Sequence, residues 1–160
     1  MIGTIVVPVD GSAHADRAVD LAGDLAAKYR ARIVLVHVLL MGFVPEDLRA
    51  LAGTPVSAQT AVAAEGLHAA PELPREARIE IGERILAKAV RRAEYHGARQ
   101  VETAWLEGPV TQRIVEYAED RRADMIVMGS RGLSDLKGLV IGSVSHKVAH
   151  LFEGHVVLVK

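Results

Sequence analysis

The sequence predicts an α/β fold with one open five-stranded parallel sheet and helices on both of its faces. Short apolar runs alternate with longer segments in which apolar residues recur every three or four positions, as in buried strands and amphipathic helices. Half of the 160 residues are hydrophobic but only 4% are aromatic, so the core is mainly aliphatic, which is typical of a parallel sheet covered by helices. We expect residues 1–160 to form a single domain with right-handed crossovers.

The first strand, the first helix and the second strand follow one another at the N-terminus. Ile2 to Val9 is almost continuously apolar, as expected of a central strand buried on both faces. Ser12 can cap a helix in which apolar residues keep a helical stripe as far as Tyr29. Ile33 to Leu39 is the second apolar strand, and we expect its His37 to be buried and hydrogen-bonded.

The middle of the chain continues the alternation. A second helix is predicted from about Glu72 or Arg75 to His96, because apolar residues recur at a spacing of four and Gly97 stands where helices often end. Gln100 to Leu106 alternates between apolar and polar residues, which indicates an edge strand. The third helix is expected to begin at Pro109, a favoured first helical residue, and to end near Arg122.

The C-terminal part supplies a fourth strand, a fourth helix and a fifth strand. They are predicted over Asp124 to Met128, Ser143 to Phe152 and His155 to Lys160. With the most apolar strands at the centre and the alternating third strand at an edge, the predicted strand order is 3-2-1-4-5.

Residues 41–74 interrupt the alternation. This segment holds four prolines and three glycines without a sustained strand pattern, and a connection of this length is usually functional or mobile. We expect a surface excursion that partly covers a ligand cleft, with short helical pieces around Glu46 to Ala52 and Gln59 to Ala69.

Three glycines connect the fourth strand to the last helix at a spacing that suits phosphate binding. Gly129 and Gly132 follow the strand, and Gly142 with Ser143 opens the helix. Glycine adopts positive φ without steric cost, and its missing side chain lets an anion reach backbone N–H groups. The helix start adds unpaired donors and the positive end of the helix dipole. In the predicted order, Asp10 and Gly129 end the two strands at the switch point, where such sheets bind ligands.

Several of these residues have more than one reading. Asp10 suits ribose hydroxyls or a metal ion, but it also suits the dipole of the helix that follows. Arg131 can pair with phosphate or remain a solvated loop arginine. Ser12 and Ser143 are read as helix caps rather than nucleophiles. His146 and His150 are four residues apart on one helix and could share a metal, but a helix surface explains them better.

The G-x2-G-x9-G-[ST] pattern and the strand-end segment Ile5 to Ser12 resemble the ATP-binding branch of the universal stress protein family. Likeness extends to Val34–Val38, to Gly108-Pro109 and to the final strand, where His155 replaces the proline of many relatives. The resemblance implies the adenine nucleotide alpha hydrolase-like, Rossmann-like sheet, binding of ATP, ADP or AMP with Mg²⁺ or another divalent cation, and a homodimer joined through the last strand. It also implies the ligand-contacting set: Val38 at adenine; Pro8, Val9 and Asp10 at base and ribose; Met128, Gly129, Arg131, Gly132, Gly142, Ser143 and Val144 at ribose and phosphates.

The expected function is that of an ATP-binding sensor or switch in stress response. A slow ATPase or nucleotide-handling α/β hydrolase is the alternative, and a phosphoacceptor receiver-like domain is a weaker one. No P-loop lysine or nucleophile elbow occurs, so turnover should be well below about 1–10³ per second unless Lys137 reaches the phosphates.

Charge and composition exclude other classes. The formal net charge of −1 gives no field for attracting nucleic acid, and the longest apolar stretch is too short to span a membrane. The chain has no cysteine, which excludes disulfides and thiolate metal sites. We expect a cytoplasmic location.

Overall fold

The computed structural model describes residues 1–39, 73–133 and 141–160. Its strands form one parallel sheet in the order β3-β2-β1-β4-β5, which confirms the predicted fold class and strand order. The strands are β1 (Thr4–Pro8), β2 (Arg32–Val38), β3 (Val101–Leu106), β4 (Met125–Gly129) and β5 (His155–Val159).

Helices cover both faces of the sheet. In the described residues they are α1 (Ala13–Tyr29), α2 (Arg75–Tyr95), α3 (Val110–Asp120) and α4 (Ser143–Leu151). Side chains of successive strand residues point to opposite faces, so each central strand contributes to two cores. Ile5 and Val7 of β1 belong to the core with α1 and α2, whereas Val6 belongs to the core with α3 and α4.

Burial along the strands agrees with their places in the sheet. β1 is buried from Thr4 to Val7, and β2 is buried from Ile33 to Val38. β3 alternates between half-buried and exposed residues and lies at one edge, as its sequence pattern predicted. β5 forms the other edge, and four of its five residues are half-buried.

The helix ends confirm two of the predicted signals and correct one. The Ser12 hydroxyl caps α1 by accepting a hydrogen bond from the Ala15 N–H at 3.2 Å, and Gly97 has a φ of 91° after α2. Pro109 is the N-cap of α3 rather than its first helical residue. Its backbone is extended, with ψ of 117°, while its carbonyl already accepts from the Arg113 N–H at 2.9 Å.

A ladder of ion pairs joins the exposed sides of α1 and α2. Three acids spaced four residues apart on α1 face Lys88 and Arg92 of α2 and His96 at its C-cap, which have the same spacing. The ion pairs are Asp16 with Lys88 and Asp16 and Asp20 with Arg92, and Asp20 and Asp24 also contact the ring nitrogens of His96. Matching spacings on two neighbouring helices produce this ladder, because residues four apart lie on one helix face.

Most of the predicted excursion over residues 41–74 lies outside the described residues, including both short helical pieces and the expected cover over the cleft. In the part of the chain that is described, no helix combines the length and the apolar character needed to cross a bilayer.

Candidate functional site

The carboxyl ends of β1 and β4 meet at the switch point of the sheet. The two strands pair in parallel, with Ile5 beside Met125 and Val6 beside Ile126. From β1 the chain continues to β2 on one side, and from β4 it continues to β5 on the other. We call the space beyond these strand ends, bounded by Asp10, Gly129 and the start of α4, the switch-point crevice.

Asp10 connects the two halves of this crevice. Its Oδ1 accepts a hydrogen bond from the Ser12 N–H at 2.9 Å, and its Oδ2 accepts one from the Leu133 N–H at 3.1 Å. Gly11, between Asp10 and Ser12, has a φ of 88°, which favours glycine in this turn. Each carboxylate oxygen has lone pairs left after these bonds, so Asp10 can still accept from a ligand hydroxyl or contact a cation.

We call residues 130–142, between β4 and α4, the glycine loop; residues 134–140 of it lie outside the described part. Gly129, Gly132 and Gly142 do not have positive φ, so the expectation that these glycines are needed for left-handed backbone is wrong. A Cβ at Gly132 would lie 2.6 Å from Oδ2 of Asp10, so a side chain here would displace the carboxylate. A Cβ at Gly129 would lie 2.8 Å from Cβ of His14, so this glycine allows α1 to pack on β4.

Gly142 differs from the other two glycines. A Cβ at this position would meet its nearest described atoms, the Arg131 Cα and the Ser130 carbonyl oxygen, at an ordinary 3.4 Å. Its φ of −73° is open to any residue. The described residues therefore give no internal reason for glycine at position 142, whereas close approach of a ligand to the backbone would give one.

The start of α4 lies beside Ser130 and Arg131 and carries backbone donors. Gly142 is the N-cap, and Ser143 is the first helical residue, so the prediction that Ser143 caps the helix is wrong. The physical reason is that Gly142 has the extended backbone of a cap and its carbonyl accepts from the His146 N–H at 3.0 Å. N–H groups in a first helical turn lack carbonyl partners within the helix, and those of Ser143 and Val144 are among them.

Ser145 is a structural residue that the sequence reading missed. The residue is only 2% exposed, and its hydroxyl donates to the Ser130 carbonyl at 2.8 Å and lies 3.0 Å from the Gly142 carbonyl. The Gly142 N–H also donates to the Ser130 carbonyl, at 2.7 Å. A serine three residues after an N-cap glycine is the only sequence signal, and it also fits an ordinary exposed helix position.

The opposite side of the crevice is built from the ends of β1 and β2. Pro8 is half-buried, while Val9 and Val38 are buried. The Val9 N–H donates to the Val36 carbonyl at 2.8 Å, and the Val9 carbonyl accepts from Nδ1 of His37 at 2.8 Å.

His37 is buried and hydrogen-bonded, as predicted. Burial lowers its pKa, partly offset by the bond to the Val9 carbonyl and by the negative charge of Asp10. Gly82 of α2 makes room for the ring, since a Cβ there would lie 2.8 Å from Cδ2 of His37. The same histidine therefore packs beneath the end of β1 that leads to Asp10.

The remaining predicted residues lie near the crevice, on the surface of α4 or outside the described residues. Met128 is buried near the end of β4, and Arg131 and Val144 are half-buried at the two ends of the glycine loop. His146 and His150 are exposed on α4, and no group of three His, Asp or Glu residues suited to a metal ion exists within the described ranges. Lys137 lies outside the described residues.

The fold and the crevice define a doubly wound α/β protein with its candidate site at the switch point. The chain belongs to the universal stress protein family, which matches it over residues 1–160. Universal stress protein YxiE of Bacillus subtilis (strain 168) is 32% identical over 160 residues, which are 100% of each chain.

Solved structures of the family share the fold. One is a universal stress protein in complex with cAMP, with a TM-score of 0.66 and 27% identity, covering 99% of this chain and 96% of that one. Another is the universal stress protein from Archaeoglobus fulgidus in complex with dAMP, with a TM-score of 0.66 and 22% identity, covering 100% and 98% of the two chains.

Proposed function

We propose that this protein binds an adenine nucleotide, ATP, ADP or AMP, in the switch-point crevice and acts as a nucleotide-dependent sensor or switch. The observation that carries the proposal is the hydrogen bond from the Leu133 N–H to Asp10, which joins the loop after β4 to the end of β1. Two segments 123 residues apart thus form one crevice at the place where doubly wound sheets bind ligands. The relative that is 27% identical and in complex with cAMP supports the choice of an adenine nucleotide.

Within this proposal, the two sides of the crevice have different tasks. Pro8, Val9 and Val38 provide an apolar wall for the base, and Asp10 accepts hydrogen bonds from the ribose. The phosphates lie against the backbone N–H groups at the start of α4, where the helix dipole favours anions. The ligand-contacting residues on this side are Met128, Gly129, Arg131, Gly132, Gly142, Ser143 and Val144.

A divalent cation fits this arrangement only together with the nucleotide. Mg²⁺ is usually held by one or two carboxylates, phosphate oxygens and water. Asp10 supplies one carboxylate, while the described residues offer no cluster of acids that would hold a cation alone. When bound, the cation would neutralise phosphate charge.

The sharpest test uses position 142, because a side chain there meets no close contact in the described residues. Gly142→Asp and Gly142→Asn have nearly the same shape, and both residues are good helix N-caps. We expect both variants to fold with melting temperatures at or above that of the wild type. The carboxylate of Gly142→Asp should weaken ADP binding at least about tenfold more than the neutral amide, because like charges near 4 Å repel by about 4 kcal/mol at a partly screened site.

Calorimetric titration with ADP measures the difference, with Gly3→Ala at the opposite end of the sheet as a control. A Cβ at Gly3 would meet its nearest atom, Oδ2 of Asp124, at 3.5 Å. Equal ADP affinity in the Asp and Asn variants would show that the phosphates do not lie at this helix start.

A further inference from the structure

We propose that Ser145 is a positioning residue for phosphate binding, because its buried hydroxyl fastens the start of the glycine loop to the start of α4. This inference rests on the proposed nucleotide function and names a residue that acts on the ligand through the backbone. Ser145 itself is 2% exposed, so it acts through the backbone of Ser130 and Gly142 rather than by contact with the ligand.

Two hydrogen bonds to the Ser130 carbonyl join the loop to the helix. The Ser130 carbonyl accepts from the Gly142 N–H at 2.7 Å and from the Ser145 hydroxyl at 2.8 Å. The hydroxyl also lies 3.0 Å from the Gly142 carbonyl, one turn before it in the same helix. The start of the loop (Ser130), the N-cap (Gly142) and the first helical turn (Ser145) are therefore connected by hydrogen bonds to one another.

The same peptide is anchored to the sheet. The Ser130 N–H donates to the Val159 carbonyl at the end of β5, at 2.7 Å. The sheet thus fixes Ser130, and Ser145 fixes the helix start relative to Ser130. Donors at the start of α4 can hold a phosphate together with Arg131 and Gly132 only if the distance between the two segments is set. Among the described residues, the Gly142 N–H and the Ser145 hydroxyl bond the helix start to Ser130.

Removing this hydroxyl leaves no buried carbonyl without a donor. In Ser145→Ala, the Ser130 carbonyl keeps the Gly142 N–H, and the Gly142 carbonyl keeps the His146 N–H. Leaving a buried polar group unpaired is the costly event in such variants, and it does not occur here. Ser145→Ala should therefore fold, but the start of α4 should be held less firmly relative to Ser130.

The test compares a nucleotide with its nucleoside. We expect Ser145→Ala to weaken ADP binding about tenfold, the upper range for one net hydrogen bond, while adenosine affinity stays within twofold of the wild type. Adenosine reports the base and ribose side, which lies at β1 and β2 and does not contact Ser145. A general structural defect would weaken both ligands alike.

Three variants complete the experiment. Ser145→Thr keeps a hydroxyl that can bond the carbonyl three residues earlier, and it should restore ADP affinity to within threefold of the wild type. Ser145→Cys nearly preserves the volume but donates weakly, and it should behave like Ser145→Ala. Thr4→Val removes another buried hydroxyl, at the amino end of β1, and should change neither affinity.

The outcomes separate this proposal from the proposed function. If wild-type protein binds no adenine nucleotide, the proposed function fails. If the wild type binds ADP and Ser145→Ala binds it equally well, or loses adenosine and ADP to the same extent, the positioning role of Ser145 is wrong while the function stands.

Discussion

At the scale of single residues, the glycines of the motif serve different purposes. Gly129 allows α1 to pack against β4, and Gly132 allows the Asp10 carboxylate to reach the Leu133 N–H. Only Gly142 has no described neighbour closer than ordinary contact. A shared sequence motif therefore combines structural requirements with an open position that a ligand can use.

The role of Gly132 leads to a stability prediction. Gly132→Ala should lower the free energy of unfolding by about 1–3 kcal/mol, because its Cβ would lie 2.6 Å from Oδ2 of Asp10 and the loop bond would be lost. In an Asp10→Ala background the same change should cost less than half as much. Urea unfolding of the four proteins in this double-mutant cycle measures the coupling. Additive losses would contradict steric conflict between the two residues.

His37 makes the free energy of unfolding depend on pH. Burial lowers its pKa below the ordinary 6.5, so the unfolded chain binds the proton more readily than the folded one. This contribution to stability is complete above pH 6.5 and is lost as the pH falls towards the folded pKa. His37→Asn keeps an N–H donor for the Val9 carbonyl but does not titrate.

The measurement is urea unfolding at pH 8 and at pH 5. We expect the free energy of unfolding to fall more from pH 8 to pH 5 in the wild type than in His37→Asn. The variant should have the lower free energy of unfolding at both pH values. Among the described residues, the negative charge of Asp10 acts on the His37 ring. It raises the pKa of His37, but less than burial lowers it. Identical losses in the two proteins would contradict a buried neutral His37.

At the scale of elements, sequence patterns predicted every strand and helix of the described residues to within a few positions. Continuous apolar runs placed β1 and β2 at the centre, and alternation placed β3 at an edge. The misses were at helix starts. Pro109 and Gly142 are caps, one position before the first helical residue, because the cap residue has an extended backbone that the side-chain period does not reveal.

Interactions between elements were harder to predict than the elements themselves. The bond from Asp10 to the Leu133 N–H and the hydroxyl bond of Ser145 depend on which loops meet in space. Hydrophobic periodicity reports which face of an element is buried, but it carries no information on side-chain bonds to a distant backbone. From the sequence, only the predicted strand order indicated that Asp10 and Gly129 lie at the same end of the sheet.

The position of β5 at an edge of the sheet leads to a prediction about the oligomeric state. It is an edge of the sheet in the described part of the chain, and Val156, Val157, Leu158 and Val159 are half-buried. Exposed apolar edges tend to be paired or protected, so we expect a homodimer through β5. Sedimentation at about 50 μM should show a dimer that Val156→Lys dissociates. Trp105→Lys, on the opposite edge, is the matched control.

A monomeric wild type at that concentration would contradict this assembly. So would a dimer that survives Val156→Lys in a folded protein but dissociates with Trp105→Lys, since the contact would then lie at β3.

At the scale of the whole molecule, the fold combines a buried sheet with a candidate site beyond its strand ends. The central strands are almost fully buried, and the ion-pair ladder joins α1 to α2 on one face. The candidate site lies beyond the strand ends, near Asp10, the described residues 130–133 and the start of α4. Loops positioned by a buried scaffold are common places for ligand binding.

Binding of an adenine nucleotide in the switch-point crevice can be measured by calorimetric titration of ligand-free wild-type protein. With millimolar ATP, ADP or AMP and Mg²⁺, we predict saturable binding at one nucleotide per chain for at least one of the three. The same preparation should release phosphate from ATP more slowly than about one per second, in the absence of a P-loop lysine. No heat and no thermal shift with any of the three nucleotides would show that the crevice does not bind an adenine nucleotide.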